Sequence, residues 1–180
     1  KAALTLSLDI APNYVEGLIA YIDGKVLYES KIRGIKVSSD NVLAYITEMV
    51  EKLTQHAAET PHGITGVCIA IHGLVNQEEI IFTPNYTLQS DLKSQLEEMY
   101  PFYVYLENEA NLAALGEYTF GSISDSVVSL SIHTGIGAGI VENGKLRTGK
   151  KGKAGEIGHS ILYPDGRKCP CGNEGCLEQY

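Results

Sequence analysis

A short stretch near the end of the chain limits what it can fold into. The segment from Cys169 to Cys176 holds three cysteines within eight positions, and His159 precedes the first of them by ten residues. One imidazole and three thiolates can form a tetrahedron around a single zinc ion. Because four protein ligands leave no open position for water, the spacing predicts a structural zinc site rather than a catalytic one. The predicted ligands are His159, Cys169, Cys171 and Cys176.

The alternative for this cluster is a set of free thiols or a disulfide. Cys169 and Cys171 are separated by only one residue, which places them poorly for bridging each other. The fourth cysteine, Cys68, lies in an apolar segment over 67–71 and is predicted to be a small core residue.

Composition indicates an ordinary globular chain. Of the 180 residues, 44% are hydrophobic and 20% are charged, which is enough for a core and too mixed for disorder or a membrane span. The sequence contains no apolar run of about eighteen residues and no secretory cleavage pattern at its start. We therefore expect a cytoplasmic protein with no membrane partner, in a compartment where thiols stay reduced.

The charge balance argues against direct contact with nucleic acid. The formal net charge is -8, from 14 basic and 22 acidic side chains, so the surface would repel phosphates. A small basic group, formed by Lys150, Lys151 and Lys153, is expected to be a solvated loop. These 180 residues are not expected to bind DNA by themselves.

Hydrophobic periodicity predicts an α/β chain. Alternating segments over 4–9, 14–22 and 25–32 predict an antiparallel meander with a tight turn at Asp23-Gly24. Helical spacing follows over 40–58, with Asp40 as the expected N-cap. Further elements are predicted at 64–72 (strand), 88–100 (helix), 102–106 (strand) and 110–118 (helix). A second meander over 127–133, 137–142 and 145–147, with a turn at Asn143-Gly144, begins a second lobe that repeats the first in outline.

Short motifs occur in a fixed order along nearly the whole chain. They are Leu6 to Asp9, Gly73, Pro84-Asn85, Glu107 to Asn111, Thr134 to Gly139, Gly155 to His159, and Cys169 to Glu178. In this order they resemble the ROK family, named for its repressors, open reading frames and kinases. The resemblance implies an actin-like ATPase or ribonuclease H-like sugar-kinase fold, with a mixed sheet, an antiparallel meander and flanking helices. It also implies a first lobe over 1–121 and, over 122–180, the start of a second lobe that holds the zinc loop and is incomplete in this sequence.

The resemblance further implies a pocket for a monosaccharide. Carboxylates and amides suit this task because they donate to or accept from vicinal hydroxyls. His159 would have two roles, with one ring nitrogen on zinc and the other directed toward the ligand. The residues that match the family's sugar-contacting positions are Gly73, Asn108, Glu109, Glu156, His159 and Glu178.

Two departures from the family's kinases are visible. The segment from Asp9 to Asn13 stands where the kinases carry a glycine-rich phosphate loop, and Pro12 has no N–H to offer a phosphate. Glu109 stands where the kinases carry the aspartate that takes the proton from the sugar, and its longer arm misplaces the carboxylate for transfer. Glu109 could instead be a helix-start carboxylate favoured by the helix dipole. No residue is therefore predicted to be catalytic.

The glycine turn over 134–139 leaves two interpretations open. It fits a retained nucleotide-binding turn, and it fits equally a tight hairpin in the second meander.

Two functions from different classes follow from the resemblance. The first is the inducer-binding part of a ROK transcriptional repressor, most like the xylose-responsive ones. Its operator DNA would be bound by a helix-turn-helix expected upstream of Lys1, and the full-length protein is expected to be a homo-oligomer. The second is an ATP-dependent, glucokinase-like sugar kinase. A third possibility, a purely structural zinc domain, leaves the predicted pocket carboxylates unexplained.

Overall fold

The computed structural model describes residues 1–76, 78–121, 125–133 and 135–180. The chain divides into two compact units, Lys1–Glu107 and Asn108–Tyr180. The lobe boundary expected at residues 121 and 122 stays a prediction, and residues 122–124 lie outside the described residues. Thr134 also lies outside them, so the glycine turn is described from Gly135 onward. Within the described ranges, no helix is long and apolar enough to cross a bilayer.

The first unit is built on a five-stranded mixed sheet in the order β3-β2-β1-β4-β7. The predicted meander is present as three antiparallel strands, and its second turn is closed by Gly24 at a φ of 86°. β1 pairs in parallel with β4 on its other side. The strands are β1 (Leu4–Ala11), β2 (Tyr14–Tyr21), β3 (Val26–Arg33), β4 (Ile64–Ile71) and β7 (Tyr103–Asn108).

Two helices and a short hairpin complete this unit. α1 (Val42–Thr54) and α2 (Leu92–Met99) lie within the predicted ranges. The hairpin of β5 (Leu74–Val75) and β6 (Ile80–Phe82) was not predicted, because strands of two and three residues carry no readable alternation.

The predicted cap of α1 was wrong by one residue. The N-cap position is Asn41 rather than Asp40. The Asn41 side chain turns away from the helix and accepts a hydrogen bond from the Ser38 N–H at 2.9 Å. The chain before α1 is therefore fixed by an Asn side chain that closes a local turn.

The core of the first unit lies around β1. Its apolar side chains at alternate positions are buried, and α1 contributes a buried stripe. Complete burial of such a side chain stabilises the folded state by about 1.5–3 kcal/mol. Fully buried members of this core include Leu4, Leu6, Ile10, Ile46, Met49, Leu53, Ile69 and Ile71.

The second unit packs one helix on a three-stranded antiparallel sheet. α3 (Glu109–Phe120) lies on β8 (Ser126–Ile132) and β9 (Ile136–Glu142), and β10 (Lys145–Leu146) completes the order β10-β9-β8. Asn143 and Gly144 both have positive φ, 50° and 73°, as a two-residue type I′ hairpin turn requires. The second meander is thus present as predicted.

Close packing explains one glycine of the predicted turn. A Cβ on Gly139 would lie 2.1 Å from the Ala110 carbonyl oxygen and 2.6 Å from Ala114 Cβ, so α3 approaches β9 over this residue. The result favours a structural role for Gly139 in the second meander.

The rest of the second unit is loop with three short 3-10 turns, Lys150–Gly152, Ile157–His159 and Leu177–Gln179. The basic group of Lys150, Lys151 and Lys153 is exposed in this region, as expected for a solvated loop.

Candidate metal and ligand site

The four side chains predicted to bind zinc lie together in the second unit. Their ligand atoms are all within 4.8 Å of one another. Cys171 Sγ lies 3.7 Å from Cys176 Sγ, and Cys169 Sγ lies 3.6 Å from His159 Nδ1. Zinc–sulfur bonds of about 2.3 Å in a tetrahedron place the sulfurs about 3.8 Å apart. The donor set and its spacing therefore fit zinc, and the same sulfur separation is too long for a disulfide.

The backbone of the loop brings the cysteines to one place. The Cys169 N–H donates to the Asn173 carbonyl at 2.9 Å, and the Gly172 N–H donates back to the Cys169 carbonyl at 3.0 Å. Gly175 has a φ of 83°, and a Cβ there would lie 1.6 Å from the Tyr163 carbonyl oxygen. Only glycine fits this crossing, which positions Cys176 beside the other ligands.

Without a cation the thiols of this cluster hold their protons unequally. Burial raises the pKa of Cys169 to about 12, and burial together with the Cys171 thiol raises the pKa of Cys176. Burial also acts to raise the pKa of Cys171, but the Asn173 N–H and the neighbouring thiols lower it overall. Since the thiolate is the ligand form, metal binding must release protons, and affinity for metal should rise with pH.

Two carboxylates flank the imidazole of His159. Glu178 Oε1 lies 3.5 Å from Nδ1, and Glu156 Oε2 lies 3.6 Å from Nε2. If Nδ1 binds the metal, Nε2 would carry the hydrogen and direct it toward Glu156. Desolvation raises the pKa of Glu156, the charge of Glu178 adds to the rise, and His159 and Lys153 oppose it. This geometry suits the two roles expected of His159.

The carboxylate of Glu178 lies against glycine backbone. A Cβ on Gly135 would lie 3.1 Å from Glu178 Oε2, and a Cβ on Gly158 would lie 3.2 Å from it. Larger residues at either position would press on this oxygen. Gly135 thus leaves space for the Glu178 carboxylate, a role that the sequence interpretation of the glycine turn did not include.

Asn108 and Glu109 stand at the start of α3. Asn108 is the N-cap, and its side chain accepts the Asn111 N–H at 3.2 Å. The Ser131 hydroxyl lies 2.9 Å and 2.8 Å from the two carboxylate oxygens of Glu109. Ser131 was missed from the sequence, although the alternation of β8 places it on the same face as Val127.

Gly73 belongs to the first unit and lies between β4 and β5. A Cβ there would lie 2.3 Å from the Phe82 carbonyl oxygen, so backbone packing alone requires glycine.

A polar cluster joins the ends of β1 and β4. His72 Nε2 lies 2.8 Å from Asp9 Oδ1, and the Tyr14 hydroxyl donates to Asp9 Oδ2 at 2.8 Å. The Tyr86 hydroxyl donates to the Ile10 carbonyl at 2.6 Å and accepts the His72 N–H at 3.3 Å. His72 directly follows the last residue of β4, and its pairing with a carboxylate 63 positions away was not predicted. The parallel pairing of β1 with β4 creates that contact.

The model of the ROK family matches residues 5–180 of the chain. The chain belongs to the ROK family. The ROK chain is 35% identical over 185 residues to the xylose repressor of Bacillus subtilis, in an alignment that covers 100% of this chain and 48% of the repressor.

Two solved structures resemble the ROK chain closely. A ROK family glucokinase from Streptomyces griseus, in complex with glucose and AMPPNP, has a TM-score of 0.87 and 32% identity, covering 98% of this chain and 56% of that one. A ROK family transcriptional regulator, a homologue of the E. coli MLC protein, has a TM-score of 0.82 and 32% identity, covering 99% and 46%. The likeness confirms the actin-like ATPase fold. The chain spans about half the length of these relatives, which include both kinases and repressors.

Proposed function

We propose that this ROK chain is the sugar-sensing part of a transcriptional repressor and does not phosphorylate sugars. The similarity to a xylose repressor over the whole chain supports this choice. Operator DNA would be bound by a helix-turn-helix outside these residues, in a homo-oligomeric full-length protein. The monosaccharide would act as inducer.

The contacts made by the Asp9 carboxylate give the main support for this proposal. Both of its carboxylate oxygens are engaged by side chains of the same unit, His72 and Tyr14, at 2.8 Å each. A nucleotide-bound cation approaching this carboxylate would compete with these two contacts.

The turn that follows Asp9 supports the same conclusion. β1 and β2 are joined by Pro12 and Asn13 alone, with Ala11 paired to Tyr14. Pro12 contributes no N–H, and its carbonyl accepts the Val37 N–H at 2.9 Å. A tight hairpin of this kind is a poor cradle for phosphate oxygens, which are bound by a series of backbone N–H groups.

Glu109 supplies a second, independent argument. Its carboxylate faces the Ser131 hydroxyl with both oxygens, at 2.9 Å and 2.8 Å. A general base must lie within hydrogen-bond reach of the proton that it takes. A glutamate fixed by β8 can bind a sugar hydroxyl without being placed for in-line transfer.

The sugar itself would be bound by the polar groups around His159. Glu156 and Glu178 would accept hydrogen bonds from sugar hydroxyls, and the His159 Nε2–H would donate one. Zinc, held by the four clustered ligands, would fix the direction of the imidazole and the shape of the loop. The proposed sugar-binding residues are Gly73, Asn108, Glu109, Glu156, His159 and Glu178.

An inducer must bind one of two states of the repressor more tightly than the other. A ligand with equal affinity for both states would shift nothing. Sugar binding at this site would therefore favour the state with low operator affinity.

A second candidate, an ATP-dependent sugar kinase, is favoured by the close likeness to the Streptomyces griseus glucokinase structure. One experiment separates the two functions. Full-length protein is given xylose, glucose and N-acetylated hexosamines, and both operator release and ADP formation are measured, with the Streptomyces enzyme as positive control. We expect sugar-dependent DNA release without ADP formation. Sugar-dependent ATP turnover at about one per second or faster, as in kinases, would refute the repressor proposal.

A further inference from the structure

We propose that Gln179 is a positioning residue that couples the zinc site to the carboxylate of Glu178. The inference rests on the proposed function, because it assigns to one side chain the connection between metal and sugar. Gln179 lies in the 3-10 turn directly after Cys176 and is only partly exposed.

The carboxamide of Gln179 reaches both groups from one atom. Its Nε2 lies 3.6 Å from Cys169 Sγ and 3.3 Å from Glu178 Oε1. A primary amide has two N–H groups. Because the sulfur and the carboxylate oxygen lie only 3.2 Å apart, both atoms face the same side of Nε2, and one N–H group can be shared between them.

The contact of Gln179 with both groups matters because Cys169 and Glu178 would both be negatively charged when zinc is bound. Cys169 Sγ and Glu178 Oε1 lie 3.2 Å apart, in a hydrogen bond that the thiol hydrogen makes. A zinc-bound cysteine is a thiolate and no longer has that hydrogen. Two negative groups would then face each other in a partly buried site, where repulsion is stronger than in water. An N–H group of Gln179 that lies between the two negative groups would offset this repulsion and keep the carboxylate in place.

The backbone of Gln179 is itself held in position. Its N–H donates to the Cys176 carbonyl at 3.1 Å, and its carbonyl accepts from the Arg167 guanidinium. Arg167 is fixed in turn, because its N–H donates to the Tyr180 hydroxyl at 2.8 Å and its guanidinium lies 4.6 Å from the centre of that ring. The amide therefore reaches the sulfur from an anchored turn.

The test compares three variants of the full-length protein. Gln179→Met keeps the length of the side chain and removes both donors, and Gln179→Glu replaces the donors by a carboxylate. Glu174→Gln, at an exposed position of the same loop, is the matched control. Zinc affinity is measured by competition with a chromophoric chelator, and the thiolate-to-cobalt charge-transfer band is recorded on the cobalt-substituted proteins.

We expect Gln179→Met to lower zinc affinity by about tenfold, as loss of an outer hydrogen bond to a metal ligand does. The charge-transfer band should move to lower energy, since an N–H bond stabilises the sulfur electrons. Gln179→Glu should lose more affinity than Gln179→Met, and Glu174→Gln should match wild type. Unchanged zinc affinity and an unmoved band in both Gln179 variants would overturn the proposal.

Calorimetry with the inducing sugar tests whether Gln179 affects sugar binding through Glu178. Gln179→Met should weaken sugar binding in the wild-type background and have no further effect on Glu178→Gln. Equal losses in the two backgrounds would overturn the coupling. The metal measurements need no sugar, so a protein that binds zinc but no monosaccharide would contradict the proposed function without touching the role of Gln179 toward Cys169.

Discussion

The Ser131 hydroxyl lies almost equidistant, at 2.9 Å and 2.8 Å, from the two carboxylate oxygens of Glu109. A serine has one hydrogen to donate, so both oxygens share it. The contact links the first turn of α3 to β8 and fixes the side chain at the family's base position. In the proposed sensor, Glu109 held in this way would bind the sugar rather than take a proton from it.

Replacement of Ser131 by Ala should therefore weaken sugar binding. The loss of this hydrogen bond frees Glu109, which the sugar must then order on binding, at a cost of about 0.5–1.5 kcal/mol. Calorimetry on the full-length protein measures this, with Ser129→Ala, two residues earlier on the same face of β8, as the control. Equal affinities in the two variants would contradict a positioning role for Ser131.

Glu156→Gln should also weaken sugar binding by about 1.5–3 kcal/mol, because the charged acceptor is lost while the shape is kept. Zinc should be retained, since Glu156 faces His159 Nε2 and the ligand side of the ring is Nδ1. The matched control is Glu174→Gln, an exposed carboxylate of the same loop. If Glu156→Gln binds the sugar as tightly as wild type, the pocket lies elsewhere.

Protein purified without added metal should contain about one equivalent of zinc. Cys171→Ser should lose most of it, because a hydroxyl is a poor substitute for a thiolate ligand. Cys68→Ser, outside the cluster, should keep it. Elemental analysis gives the stoichiometry. Full retention in Cys171→Ser would exclude Cys171 as a ligand.

Cys68 should be nearly inert toward alkylating reagents at pH 8. Burial, with the charge of Glu107 adding to it, raises the pKa of Cys68 to about 12. Only about one thiol in ten thousand is then ionised at pH 8, and the thiolate is the reactive form. After chelation of zinc, iodoacetamide should modify Cys171 first, because its pKa is lowered while those of Cys169 and Cys176 are raised, as mass spectrometry would show. Modification of Cys68 at the same rate would mean that β4 opens readily. The reference is protein unfolded in guanidinium, in which all four cysteines should react.

Two glycine substitutions should have opposite effects on stability. Gly139→Ala places a methyl group 2.1 Å from the Ala110 carbonyl and should lower the free energy of unfolding by about 2–3 kcal/mol. Gly116→Ala, in α3 with open space around the new methyl group, should raise it by about 0.5–1 kcal/mol. Urea denaturation measures both. A neutral Gly139→Ala would show that α3 does not need its close approach to β9.

Local patterns in the sequence predicted most of the architecture. The alternation in both meanders, the Asn143-Gly144 turn and the spacing of the metal cluster each depend on neighbours in the chain. The apolar stripe of α1 likewise predicted the helix and its buried face, although not its cap.

What could not be predicted depends on contacts between distant segments. His72 meets Asp9 only because β4 lies beside β1, and Ser131 meets Glu109 only because α3 folds back on β8. Gln179 carries no periodic or motif signal, and its role depends on the direction of one amide. Such partners require the fold before they can be recognised.

The outer face of β8 has a practical consequence. Val128, Leu130 and Ile132 are 61%, 58% and 66% exposed, and in the described part of the chain β8 lies at the edge of its sheet. An apolar edge strand can recruit a second strand. A preparation limited to residues 1–180 should therefore precipitate as its concentration rises, and Leu130→Lys, which places a charge in the middle of that stripe, should extend the usable range for crystallisation or NMR.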